Sequence, residues 1–153
     1  MIDALYSSRI LGLVANIPRT GRLATPDGSA EKAAKLCGSR ITVDVSLAEG
    51  RVVDFAQDVA ACALGQASAA ILGANIIGAD LTEIELARDG LKAMLKSNGS
   101  PPAGRFSELS VLEPVKDYPA RHASTLLAFE AAVEAVSRAT AAAQTRTSSV
   151  GAA

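Results

Sequence analysis

The most regular alternation of apolar and polar residues lies between residues 41 and 59. In its first half every second position is apolar: Ile41, Val43, Val45 and Leu47. This period of two is typical of a half-buried strand. Ala48-Glu49-Gly50-Arg51 then predicts a turn in which Gly50 adopts a positive φ. The alternation resumes with Val53, Phe55 and Val59 facing one side. We therefore predict a two-stranded antiparallel hairpin over about residues 41–59.

Helical periodicity dominates the rest of the chain. The spacing predicts an amphipathic helix over Asp3–Ile17, which Pro18 ends. A second helix, rich in small apolar residues, is expected from about Cys62 to Ile77. The last helix is predicted over Ser124 to about Ala141, with Ser124 as its N-cap.

Shorter elements are expected between these segments. The loop over Thr20–Lys35 is expected to contribute a short edge strand before Cys37. Thr82-Glu83-Ile84-Glu85 fits a capping box that opens a shorter helix, which Gly90 interrupts. Phe106–Leu112 is expected to form a short helix that Pro114 ends. The fold class is α+β, a small antiparallel sheet with helices packed on it. Residues 1–141 are expected to form one domain and residues 142–153 a disordered tail.

Composition narrows the class of protein. The chain has 153 residues, of which 49% are hydrophobic and only 3% aromatic, and its formal net charge is −1. These values fit one domain, and the mixed charges give no basic patch of the kind that binds nucleic acid or a membrane surface. Val59–Ala79 carries no formal charge, but its polar residues and glycines favour a buried helix over a membrane span. Two cysteines without a signal peptide indicate a cytoplasmic protein rather than a secreted disulfide scaffold.

The two cysteines are the main candidates for chemistry. Cys37 lies in a turn beside Gly38, and Cys62 lies where a strand gives way to a helix. A hairpin can bring its outer ends together, so these thiols can become neighbours. The N-terminal end of a helix also favours the thiolate form of Cys62, which suits metal binding and sulfur transfer. The alternative is that both are small buried hydrophobic residues.

Motifs along the chain resemble the U-type iron–sulfur cluster assembly scaffolds, the IscU, SufU and NifU N-terminal family. The matching segments are Tyr6-Ser7, Asn16-Ile17-Pro18-Arg19-Thr20-Gly21, Cys37-Gly38, Cys62 with Ala67-Ser68-Ala69, Tyr118-Pro119-Ala120-Arg121 and Leu126-Leu127-Ala128. By this resemblance Cys37 and Cys62 are the family's first and second cysteines. The aspartate of its Cys-Gly-Asp motif is Ser39 here, and its third cysteine is Ser124. The chain is thus identified as a degenerate member, with His122 close to the third position.

The resemblance implies a non-enzymatic scaffold that accepts sulfur from a cysteine desulfurase and passes a transient iron–sulfur cluster, such as [2Fe–2S], to acceptor proteins. Cys37 and Cys62 would be the ligands, with His122, Ser124 and Ser39 as weaker candidates for iron or zinc. A cluster or a structural zinc takes four ligands. The shell could be shared by two subunits as a homodimer or completed by small thiols and water, or metal could be held only unstably. The alternatives are a metal-free interaction or regulatory partner of the desulfurase complex, and a sulfurtransferase that uses Cys62 alone.

Overall fold

The computed structural model describes residues 7–35 and 38–152. One short helix comes first, three strands follow it, and the remaining helices come after the strands. Their bounds are α1 (Ser8–Ala15), β1 (Gly28–Ala34), β2 (Ser39–Ala48), β3 (Arg51–Ala60), α2 (Ala63–Asn75), α3 (Leu81–Lys96), two 3-10 segments (Gly104–Asp117 and Pro119–Arg121) and α4 (His122–Ala152). No helix in these described ranges is both long enough and apolar enough to cross a bilayer.

The three strands form one antiparallel sheet in the order β1-β2-β3. β1 is the edge strand that the sequence placed before Cys37, and β2 with β3 is the predicted hairpin. At the hairpin tip Glu49 has φ 52° and Gly50 has φ 77°. Positive φ at both central residues matches the twist of the flanking strands in a two-residue turn. The α+β class and the positive φ of Gly50 are confirmed.

A β-bulge changes the side-chain pattern of β3. Leu47 pairs with Val52 and Ser46 pairs with Asp54, so the register skips Val53. The extra residue turns Val53 outward, where it is 53% exposed, and buries Val52. The prediction that Val53 faces the same side as Phe55 is therefore wrong, because the bulge shifts the phase of the alternation by one residue.

The inner face of the sheet packs against α4 and α2, and the core is continuous through these layers. The approach of β1 to α4 is very close. A Cβ atom at Gly28 would collide with the carbonyl oxygen of Ala135 and lie 2.7 Å from the backbone nitrogen of Ala139. Farther from the sheet, Phe106 and Phe129 meet edge to face with ring centroids 5.3 Å apart.

The capping box of α3 uses Asp80 and Glu83 rather than Thr82 and Glu85, so the predicted box is wrong by two residues. Asp80 Oδ1 accepts the Glu83 N–H at 2.8 Å, and Glu83 Oε1 accepts the Asp80 N–H at 3.3 Å. The observed pair, Asp80 with Glu83, and the predicted pair, Thr82 with Glu85, both have residue types and spacing suitable for a capping box. Contacts with β3 favour the earlier start, because Asp80 forms a bridge with Arg51.

Other element boundaries also differ from the sequence prediction. α3 continues through Gly90, and a 3-10 segment with Pro114 inside it replaces the predicted helix over 106–112. α1 ends at Ala15, before the predicted end at Ile17; residues 1–6 lie outside the described ranges. α4 continues to Ala152 instead of ending near Ala141. The alanines on both sides of residue 141 have the highest helix propensity.

A buried carboxylate fastens the segment before β1 to the outer face of the sheet. Asp44, on β2, has a fully buried side chain. It accepts hydrogen bonds from the Arg22 guanidinium at 2.7 and 3.1 Å, the Leu23 N–H at 3.0 Å and the Ser29 hydroxyl at 2.5 Å. Burial alone would raise the pKa of Asp44. The hydrogen bonds and the charge of Arg22 outweigh burial and hold this pKa below its ordinary value of 3.8.

This arrangement predicts an acid-sensitive stability. Because the pKa of Asp44 is lower in the folded than in the unfolded chain, its ionised form stabilises the fold above about pH 4. That contribution is lost as the pH falls through the folded pKa. Asp44→Asn should lower the free energy of unfolding at pH 7 by about 2–3 kcal/mol and flatten its decline in acid, as measured by urea denaturation at several pH values.

Asp58→Asn is the matched control, because Asp58 is exposed on the same face of the sheet. It should change the free energy of unfolding by less than about 0.5 kcal/mol. Equal effects of the two substitutions would contradict the importance of the Asp44 hydrogen bonds.

Candidate functional site

Cys62 is the N-cap of α2, two residues after the end of β3. Its backbone is extended, with φ −68° and ψ 170°, and its side chain is half-buried. The Gln66 side chain donates to the carbonyl of Ala61 at 2.7 Å and so ties the strand-to-helix connection to the first turn of α2. The thiol therefore lies at the positive end of the helix dipole, as the sequence predicted.

Ser124 lies against this thiol. Its Oγ is 3.3 Å from Cys62 Sγ, and the hydroxyl donates to the carbonyl of Arg121 at 3.2 Å. The side chain of Ser124 is almost completely buried. The prediction that Ser124 is an N-cap is wrong, because α4 begins at His122 and continues directly from the 3-10 segment that ends at Arg121.

Two residues that the sequence interpretation missed support this contact. Thr125 is buried, and its hydroxyl donates to the same Arg121 carbonyl at 2.7 Å. Gly65 lies one turn after Cys62, and a Cβ atom there would be 2.9 Å from Ala61 Cβ and 3.0 Å from the carbonyl oxygen of Ser124. The absence of a side chain at Gly65 thus lets the starts of α2 and α4 touch. A threonine in a helix commonly donates to the carbonyl four residues earlier, so the sequence held a signal for the contact of Thr125 with Arg121. Nothing in the sequence indicated the contact of Gly65 with Ser124.

Ser39 completes the described part of the site. It is the first residue of β2, pairs with Ala34 of β1 and is almost completely buried. Its hydroxyl oxygen accepts the backbone N–H of Cys62 at 3.4 Å. Three predicted site residues, Ser39, Cys62 and Ser124, are therefore brought together at one end of the sheet. Cys37, two residues before Ser39 in sequence, lies outside the described residues.

His122 is held by backbone carbonyls. Its side chain is buried, with Nε2 at 3.0 Å from the oxygen of Val115 and 3.2 Å from that of Lys116. Because carbonyl oxygens only accept, Nε2 is the ring nitrogen that carries a proton and donates to them. The histidine thus fixes the end of the 3-10 segment to α4, and its role as a ligand stays a prediction.

The donor set does not complete a metal site within the described residues. No group of three or more His, Cys, Asp or Glu side chains in residues 7–35 and 38–152 is placed to hold a metal ion. Cys62 offers one thiol, and Ser39 and Ser124 offer hydroxyls, which are poor ligands because they hold their protons tightly. A stable four-ligand shell would need donors beyond these three side chains.

Residues 5–137 match the family described as NifU-like N terminal domain. The chain belongs to this family. The resemblance predicted from the cysteine and proline motifs is thereby confirmed, and NifU-like N-terminal domains belong with the iron–sulfur cluster assembly scaffolds. In this NifU-like domain, Ser39 and Ser124 stand at the positions that the sequence comparison assigned to an aspartate and the third cysteine.

Individual relatives agree with the family assignment. The iron–sulfur cluster assembly scaffold protein IscU of Thermotoga maritima is 26% identical over 134 residues, covering 88% of this chain and 94% of the relative. The crystal structure of the N-terminal part of a nitrogen-fixing NifU-like protein from Brucella abortus is 48% identical, with a TM-score of 0.89 over 91% of this chain and 96% of that chain. A protein described as a scaffold for the SUF system of Fervidobacterium islandicum shares the fold, with 21% identity and a TM-score of 0.80 over 88% of this chain and 98% of that chain.

The close contact at Gly65 predicts a local effect of side-chain size. Gly65→Ala should push the starts of α2 and α4 apart and lower the free energy of unfolding by roughly 1–3 kcal/mol, because the new methyl group meets backbone atoms of Ser124. Urea denaturation measures the stability. The alkylation rate of Cys62 in a Cys37→Ala background measures the opening of the site and should rise.

Gly12→Ala is the control, because Gly12 lies in α1 with nothing within 4 Å of a new Cβ atom. Alanine there should be neutral or stabilise by about 0.5–1 kcal/mol. A Gly65→Ala protein as stable as the Gly12→Ala protein would show that the two helices do not need this close approach.

Proposed function

We propose that this protein is a non-enzymatic scaffold of iron–sulfur cluster assembly. It accepts sulfur from a cysteine desulfurase, holds iron and sulfide transiently through Cys37 and Cys62, and passes them to acceptor proteins. Iron, sulfide and the cluster are cargo of the scaffold rather than a resident cofactor. Membership of the NifU-like N-terminal family supports this role.

The observation that carries the proposal is the placement of the Cys62 thiol. It lies half-buried at the N-terminal end of α2, with the hydroxyl of Ser124 3.3 Å from its sulfur and the hydroxyl of Ser39 on its backbone N–H. A helix N-terminus stabilises a sulfur anion, whether a thiolate or a persulfide. The packing of α2 against α4 fixes the direction in which this sulfur is presented.

The short donor set suits transient holding. A protein that must release its cargo gains nothing from a closed four-ligand shell, such as those that hold structural zinc. Cys37 and Cys62 supply two thiolates, and small thiols, water or the cysteines of a second copy supply the remaining positions. The cargo therefore exchanges more readily than a metal held by four protein ligands.

Anaerobic reconstitution tests this function. The reduced protein is incubated with ferrous iron, cysteine and a cysteine desulfurase, and protein-bound iron and sulfide are then measured after gel filtration. The parent should retain both, and Cys62→Ala should retain markedly less. Binding of neither iron nor sulfur by the parent would contradict the scaffold role and leave a metal-free interaction partner as the function.

Ser124→Cys tests the ligand count. A thiol at this position would lie beside Cys62 and add a third thiolate, with little change in volume. In zinc competition assays under reducing conditions, the variant should bind zinc at least about tenfold more tightly than the parent, a gain of about 1.4 kcal/mol.

Ser137→Cys is the control for an added thiol, because Ser137 lies on the same helix about 20 Å farther along its axis. It should leave the zinc affinity unchanged. Equal zinc affinities of the parent and the Ser124→Cys variant would show that position 124 cannot contribute a ligand together with Cys62.

A further inference from the structure

The hydroxyl of Ser124 lies between the sulfur of Cys62 and the carbonyl oxygen of Arg121, at 3.3 and 3.2 Å. A serine hydroxyl has one proton to donate, and a carbonyl can only accept. When the proton of Ser124 points to Arg121, Ser124 Oγ accepts the S–H of Cys62. In this arrangement the sulfur of Cys62 is a neutral hydrogen-bond donor.

Thr125 makes a second arrangement accessible. Its hydroxyl donates to the Arg121 carbonyl at 2.7 Å, a shorter contact than that of Ser124. If the Ser124 hydroxyl turns away, the Arg121 carbonyl keeps a donor, so the rotation leaves no buried acceptor unsatisfied. Both hydroxyl-bearing side chains are buried, which protects them from competing water. Ser124 is thus free to donate to the sulfur as soon as that sulfur becomes an anion.

We propose that Ser124 is a positioning residue that lets Cys62 retain sulfane sulfur. Loading occurs when the Cys62 sulfur attacks the outer sulfur of a donor persulfide. A new S–S bond forms, the S–S bond of the donor breaks, and the donor leaves as a thiolate that takes up the proton lost by Cys62; no net oxidation takes place. Ser124 then turns and donates a charge-assisted hydrogen bond to the Cys62 persulfide.

Ser124 also protects the persulfide because its hydroxyl does not attack the S–S bond. A cysteine at position 124 would place a second sulfur beside Cys62. Its thiolate would attack the inner sulfur, form a disulfide between residues 62 and 124, and expel the outer sulfur as hydrosulfide. A serine hydroxyl is not a nucleophile for this reaction. A hydroxyl in place of a thiol at position 124 therefore favours storage of sulfur over its release.

This inference rests on the proposed function, and one experiment separates the two. Protein in a Cys37→Ala background is loaded anaerobically with cysteine persulfide, excess reagent is removed, and a fixed concentration of free cysteine is added, whose thiolate attacks the persulfide and takes its outer sulfur or releases it as hydrosulfide. Intact mass then follows the added sulfur atom on Cys62, and a colorimetric assay follows released hydrosulfide. The parent and Ser124→Thr, which keeps the hydroxyl, should retain the sulfur, whereas Ser124→Ala should lose it at least about tenfold faster.

Two further variants test the two parts of the inference separately. Thr125→Val should also shorten the lifetime of the persulfide, because Ser124 is then needed by the Arg121 carbonyl. Ser124→Cys should release hydrosulfide and gain the disulfide between residues 62 and 124. Ser68→Ala is the matched control: Ser68 is a buried serine on α2 whose hydroxyl has no partner in the described part of the chain. It should retain the sulfur as the parent does.

The outcomes distinguish the two proposals. Loading of the parent with equal lifetimes in the parent, Ser124→Ala and Ser124→Cys would overturn the role of Ser124 and leave the scaffold function standing. Failure of the Cys37→Ala protein to take up sulfur at Cys62 would overturn the role of Ser124, whereas only failure of the protein with both cysteines to bind iron and sulfur would overturn the scaffold function. Circular dichroism and thermal unfolding show whether each variant is folded, and the Ser124→Thr and Ser124→Cys arms decide the question if Ser124→Ala is not.

Discussion

The close packing of β1 against α4 is the contact on which the rest of the structure depends. Gly28 touches the backbone at Ala135 and Ala139, with no space for a side chain between strand and helix. This contact fixes the height of α4 beneath the sheet and the line along which the helix runs. At its other end the same helix meets α2 at Gly65, which places Ser124 beside Cys62. A site made of short side chains requires this accuracy, because neither a serine nor a cysteine can reach across a gap.

The sequence predicted the parts of the fold that depend on local patterns. The alternation over 41–59 identified the hairpin, and the run of small apolar residues after Cys62 identified α2. It could not predict the bulge at Val53, because a bulge is set by how β3 pairs with Leu47 and Ser46 on another strand. The choice between two capping boxes was likewise decided by the bridge between Arg51 and Asp80, a contact between distant parts of the chain.

In the candidate site too, sequence motifs indicated some residues, and contacts between distant parts of the chain determine the others. Family motifs indicated Ser39, Cys62 and Ser124, and the structure places Ser39 and Ser124 in contact with Cys62, whereas the expected approach of Cys37 to Cys62 stays a prediction. Thr125 and Gly65 were missed because their importance comes from what they touch: a shared carbonyl for the threonine and a neighbouring helix for the glycine. The N-cap assigned to Ser124 was wrong because a serine before an apolar run has the same sequence signature whether the helix starts there or continues from an earlier 3-10 turn. His122 offered no sequence signal of its carbonyl partners.

The Arg22–Asp44 pair also determines how the outer face of the sheet behaves towards other molecules. The segment that it fastens lies across the middle strand, so this face is neither flat nor apolar where two sheets would otherwise stack. Around it the exposed face has charged side chains, among them Glu31, Arg40 and Asp58. Detachment of the segment would uncover a smoother strand surface and so favour aggregation. The Arg22–Asp44 pair therefore holds in place a segment that covers the middle of this sheet face.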